Sequence, residues 1–201
     1  MSQSNYAKII EQNLAALFSQ DLAERGRAMG ADLHGQSLSF AAFGGRCRIA
    51  SDGIVINGER QDGPLGIILS LYALNAAPEP IRLTPFKAFK EFPDSMPYVG
   101  AFASHTEQIL VSSVDSILRC QTQILEAMAG TPAPGEVGGD SAIVVRPLPK
   151  IALCYIFYEA DEDFPPSVTC LYSHNADRFM PMDGLADVGE YTSRALLKMI
   201  A

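Results

Sequence analysis

The chain has 201 residues, 48% of them apolar and 19% charged, which suits one globular core and excludes disorder for most of its length. Its 23 acidic against 15 basic residues give a formal charge of -8, and no run of Lys or Arg is interleaved with aromatics, so nucleic acid and anionic membrane surfaces are disfavoured as partners. The opening MSQSNYAKIIEQ lacks the basic and apolar segments of a signal peptide, and no apolar run approaches the roughly 18 to 20 residues that span a bilayer, so a cytoplasmic location is expected.

In chain order, Tyr6, Ile10, Leu14, Leu17 and Phe18 recur at three- and four-residue steps, which predicts an amphipathic opening helix over 5–29. After Gly30 come three short strand-like runs, SLSFAAF, RCRIA and GIVI, separated by Gly44-Gly45 and Asp52-Gly53, and these predict a three-stranded antiparallel meander. GPLGIILSLYALNAAP predicts a buried helix over 64–76, opened by Pro64 and closed before Pro78. Five prolines from Pro78 to Pro97 then forbid a long helix.

Helical spacing of Leu110, Val114, Ile117, Leu118, Ile124, Leu125 and Met128 predicts a helix over 105–128. GTPAPGEVGGD is a loop, with 130–140 the best candidate for a flexible boundary inside a single domain of residues 1–201. Its glycines are followed by a strand-like run, not by the helix N-terminus that a phosphate cradle needs. SAIVV, IALCYIFY and SVTCLY predict three strands, and EYTSRALLKMIA a closing helix. The expected fold is α+β: an antiparallel or mixed sheet, built from the N-terminal meander and the C-terminal hairpin, packed against three or four helices.

Between the last two strands lies YEADEDFPPSV. A connection centred near Glu162 makes facing residue numbers sum to 324 and sets Cys154 opposite Cys170. Phe164, followed by Pro165 and Pro166, is expected to tuck under the loop. Glu159, Asp161 and Asp163 alternate along the segment, and such carboxylates suit a divalent cation, although the loop lacks the glycine and spacing of a calcium hairpin. The cysteines, Cys47, Cys120, Cys154 and Cys170, have no zinc-type spacing and read as reduced, buried residues. His34, His105 and His174 lie far apart in sequence, and each reads as a surface or hydrogen-bonded residue.

Four segments in order, IILSLYALN, FKEFPDSMPYVGAF, GEVGGDSAIVVRPLPKIAL and DEDFPPSVTCLYSHNADRFMPMDGLADVG, resemble the prokaryotic family called domain of unknown function 3786. The resemblance covers about Gly63 to Gly189, and its most specific part is Asp161, Glu162, Asp163, Phe164 and Pro165 with the downstream LYSHNADRFMPMD. It implies a setting in anaerobic metabolism, of the one-carbon, corrinoid or redox kind. Some members carry a cysteine-rich iron–sulfur module that this chain lacks, so no iron–sulfur cluster is expected. Leu171-Tyr172-Ser173 stands where the family pattern suggests Leu-Phe-Asp, and the resemblance carries no established catalytic residue. Because no complete catalytic constellation survives the spacing tests, the expected function is an accessory or small-ligand-binding protein whose partner is a small molecule or a protein. The alternative is a metal-assisted enzyme built on Glu159, Asp161 and Asp163, with a divalent cation as its cofactor.

Overall fold

The computed structural model describes residues 5–200; residues 1–4 and Ala201, the last residue of the predicted closing helix, lie outside them. The opening helix forms as two. α1 (Asn5–Phe18) buries Ile10, Leu14 and Leu17 on one face. Asp21 then caps α2 (Leu22–Met29), its carboxylate accepting from the Ala23 and Glu24 amides, and such a cap begins a new helix where side-chain periodicity alone would continue the old one. Gly30, at φ 73°, closes α2 in the left-handed conformation that glycine takes without strain.

The meander has five strands, β1 (Asp32–His34), β2 (Ser37–Ala42), β3 (Gly45–Ala50), β4 (Gly53–Ile56) and β5 (Glu59–Arg60), paired antiparallel in chain order. The three predicted strands therefore gain a neighbour at each edge. The last of these follows Asn57-Gly58, both at positive φ, the strongest short signal for a hairpin. The turn between β2 and β3 is Phe43-Gly44, because Ala42 pairs with Gly45. α3 (Pro64–Asn75) follows as expected and is buried over most of its surface. The Tyr72 hydroxyl donates to the Met29 carbonyl and accepts from the Lys150 amide, tying α3 to α2 and to the second sheet.

That second sheet has the order β6 (Lys87–Ala88), β10 (Ser167–Tyr172), β9 (Ile151–Tyr158), β8 (Ser141–Leu148) and β7 (Thr131–Pro132), all antiparallel. The α+β class stands, with the meander and the C-terminal strands forming two antiparallel sheets around a shared core. They meet where the Phe43 amide donates to the Pro147 carbonyl. β7 lies inside the expected loop 130–140.

The hairpin register differs from the expected one by a single residue: Leu171 faces Cys154 and Cys170 faces Tyr155, so facing numbers sum to 325. One step of slip moves every side chain to the other face. Cys154 and Cys170 accordingly lie on opposite faces, the first in a small outer cluster and the second in the main core, and all four cysteines are free.

The segment read as one helix over 105–128 starts earlier and is broken. It comprises α4 (Val99–Phe102), a π-helical turn (Ala103–Glu107), α5 (Gln108–Val111), α6 (Val114–Arg119) and α7 (Gln121–Ala127). Leu110, Val114, Ile117 and Ile124 stay buried across the breaks, so the apolar spacing persists where the hydrogen-bond ladder does not. α8 (Met182–Ile200) begins eight residues before the expected start at Glu190. Among the described residues no helix is long and apolar enough to cross a membrane.

Candidate functional site

Gly184 and Gly189 disguise the first half of α8 as a loop, because glycine weakens a helix by about 1 kcal/mol relative to alanine. Gly189 is needed for close approach: a Cβ there would lie 2.6 Å from Phe102, 2.8 Å from the Tyr172 hydroxyl and 2.9 Å from Thr106 Oγ1. α8 is thereby pressed against the π-turn. Beneath the contact, Phe89 and Phe102 stack at 4.5 Å between centroids and both pack on Tyr172, whose hydroxyl donates to the Leu185 carbonyl at 2.6 Å.

In a π-turn one residue too many is fitted into the helical ladder, here closed by Gln108 N–H to the Ala103 carbonyl. Such turns are frequent at functional sites because they redirect side chains. The Thr106 carbonyl accepts from Ser193 Oγ at 2.7 Å, and Ser193 Oγ lies 2.8 Å from the Tyr155 hydroxyl. Since the serine proton goes to Thr106, Tyr155 is the donor to Ser193. The turn is thus fastened to α8 and β9 by a buried polar chain. Three successive residues then point three ways: His105 toward α8, Thr106 into the interior, Glu107 toward β10.

On the His105 side a cleft of about 130 Å³ opens between the turn and α8. Asp183, Asp187 and Glu190, spaced i, i+4 and i+7, share one face of α8 and line it. His105 Nδ1 lies 3.1 Å from Glu190 Oε2, and Arg194 donates to the other oxygen of Glu190 at 2.8 Å. Asp183 accepts from the Gly184 amide. Asp187 has no hydrogen-bond donor among the described residues, and partial burial together with the charges of Glu190 and Asp183 pushes its carboxyl above the ordinary aspartate value. Thr106 is fully buried, and its Oγ1 has no hydrogen-bond partner among the described residues.

On the opposite side, Glu107 Oε1 accepts from the Cys170 amide at 2.9 Å, satisfying a donor of β10 that has no strand partner. Burial raises the Glu107 carboxyl despite that bond. It also raises the Cys170 thiol well above its ordinary value, so this sulfur is not a ready nucleophile.

The acidic connection stands elsewhere. Glu159, Asp161, Glu162 and Asp163 are exposed between β9 and β10. Asp161 Oδ1 accepts from the Asp163 and Phe164 amides at 2.8 and 2.7 Å, and the Glu159 amide donates to Asp140. Asp161 is therefore a turn-former, directed at its own loop. Phe164 is not tucked beneath: it is 70% exposed, because the Asp161 turn and the two prolines hold the loop away from the sheet. His174 sits at the far end of β10, with Nδ1 3.1 Å from the Pro85 carbonyl, and His34 is exposed on β1. Among the described residues no three His, Cys, Asp or Glu side chains are grouped to hold a metal ion.

The fold and cleft thus define an α+β domain in which a π-turn and the glycine-bearing start of a long helix form a small acidic hollow. The family model described as Domain of unknown function (DUF3786) matches residues 6–195, and the chain belongs to that family. The match extends beyond the four motifs to include α1, α2 and the meander. No curated protein and no solved structure matches the chain.

Proposed function

We propose that this chain is a cytoplasmic accessory protein that binds a small polar ligand in the cleft between the π-turn and α8, without catalysis of its own. The anaerobic setting implied by the family resemblance is where its ligand would be sought. The observation that carries the reading is the π-turn. It is one of the breaks in the helical run from Val99 to Ala127, and it falls where His105, Thr106, Asp187 and Glu190 line one hollow; irregular backbone of this kind clusters at functional sites.

Binding is favoured over catalysis because no activated nucleophile adjoins the cleft; Cys170 faces the other side of the turn with a thiol raised by burial. A panel of small amines, amides and carboxylates, screened by thermal shift, tests the reading. Members that fit should raise the melting temperature, and Ala186→Phe, which fills the cleft from α8, should abolish the effect. An undiminished shift in that variant would place binding elsewhere.

A further inference from the structure

We infer that Glu79–Phe86 is a strap, clasped by His174–Arg178, that opens without unfolding of the core and bares the outer face of the second sheet together with the Cys154 thiol. This is independent of the cleft.

The strap lies in the connection from α3 to β6 and forms neither helix nor strand, since Pro78, Pro80 and Pro85 break helical and ladder bonding alike. From Ala77 to Thr84 half-buried and exposed residues alternate, as in an extended chain with one face on a surface. That surface is the outer face of the second sheet. Ile81, Leu83 and Phe86 pack on a cluster of Val144, Ala152, Cys154 and Ile156, which is distinct from the main core; satellite clusters of this kind form under long connections. Ala133 and Val137 cover the end of this face at which Ala142 pairs with Ile156. The strap covers the other end, where the Ser173 amide donates to the Ala152 carbonyl.

What holds the strap is a short segment after β10, the HNADR run of the family resemblance. Asn175 is buried. Its Oδ1 accepts from the Arg82 amide at 2.8 Å, and its Nδ2 donates to the Pro80 carbonyl at 3.0 Å. The His174 amide donates to the Arg82 carbonyl at 2.8 Å, and Nδ1 of the same residue lies 3.1 Å from the Pro85 carbonyl. Lys150 Nζ donates to the Glu79 carbonyl at 2.7 Å. The Glu79 carboxylate meets Arg178 at 3.2 Å in an exposed pair, which contributes little in water.

Most of these bonds end on two neighbouring residues, His174 and Asn175, and the apolar underside belongs to the small cluster, with Ile81 alone of its three residues also touching the main core. Stretches with few bonds and little apolar burial open at lower free energy than the fold as a whole. α3, β6 and the main core stay in place when this one does. Cys154 is fully buried while the strap is closed, and opening turns it into an accessible thiol on an apolar sheet face that the closed protein does not present. Cys47 and Cys170 lie in the main core and reach solvent when that core unfolds.

Labelling with iodoacetamide at pH 8, followed at each cysteine by mass spectrometry, tests this on the intact chain. Cys154 should react at least tenfold faster than Cys47 and Cys170. Its rate should change little in low urea, because strap opening exposes little surface, whereas theirs should rise steeply. Asn175→Ala should speed Cys154 about tenfold relative to Cys47 and Cys170, the worth of a buried hydrogen-bonding group. Leu83→Ala, which trims the underside and leaves the clasp whole, should act in the same direction and serves if the first variant does not fold. If Cys154 labels together with Cys47 and Cys170 and with their urea dependence, the strap does not open by itself. The inference also falls if the variants leave Cys154 unchanged or speed all three alike.

Discussion

Thr106 and its neighbours combine a stability defect with a candidate role. A buried hydroxyl without a partner costs about 1–3 kcal/mol, so Thr106→Val should raise stability in urea denaturation by roughly 1 kcal/mol; a loss would mean that the hydroxyl has a partner in solution. Ser193→Ala should do the reverse, losing about 1–3 kcal/mol, because it removes the donor to the Thr106 carbonyl and leaves the Tyr155 hydroxyl only its longer contact with the Gly189 carbonyl at 3.5 Å. Gly189→Ala should cost about 1–3 kcal/mol by overpacking against Phe102 and Tyr172. Asp187 titrates with a definite sign. Its carboxyl is raised in the folded state, so its contribution is favourable below the ordinary carboxylate range and is lost as the pH rises through the raised value. Asp187→Asn should therefore stabilise the unliganded protein at pH 7 by a few tenths of a kcal/mol, small because the residue is partly exposed, and the gain should vanish near pH 3. A gain that persists at pH 3 would assign it to something other than the charge.

At the scale of elements, the β9–β10 hairpin makes a chemical prediction. With Cys154 and Cys170 on opposite faces of the sheet, mild oxidation should yield no bridge between them by mass spectrometry, whereas the alternative register would allow one. The hairpin itself was legible in the sequence, but its register was not. Seven of the eight residues of β9 are buried, so both faces are apolar and hydrophobic patterning penalises neither register; the Asp161 turn inside the connection decides it. The helices tell a similar story. Periodicity located α1 and the segment from Leu110 onward, and the prolines bounded α3, yet periodicity carries no information on breaks that leave the buried stripe intact. Asp21 as a cap and Asn57-Gly58 as a hairpin turn were present to be read. The π-turn has no comparable signature, and the cleft was missed with it. Its one sequence trace is Asp183, Asp187 and Glu190 at helical spacing, masked by Gly184 and Gly189, which read locally as loop.

Across the whole molecule, both sheets, α1, α3 and α8 contribute to one hydrophobic cluster, and unfolding should be a single cooperative event followed identically by circular dichroism and tyrosine fluorescence. A meander that melts separately would divide the chain into two units. The acidic connection stands apart from that core, so Asp163→Asn and Phe164→Ala should each change stability by less than about 0.5 kcal/mol. What the core does support is the contact of α8 with the π-turn, and the central claim is that this contact is a binding place. The most direct measurement is mapping of amide chemical-shift changes over the chain during titration with a small-molecule panel. The expected result is a set of perturbations confined to Tyr98–Glu107 and Asp183–Glu190. Perturbations centred on Glu159–Phe164 would contradict it.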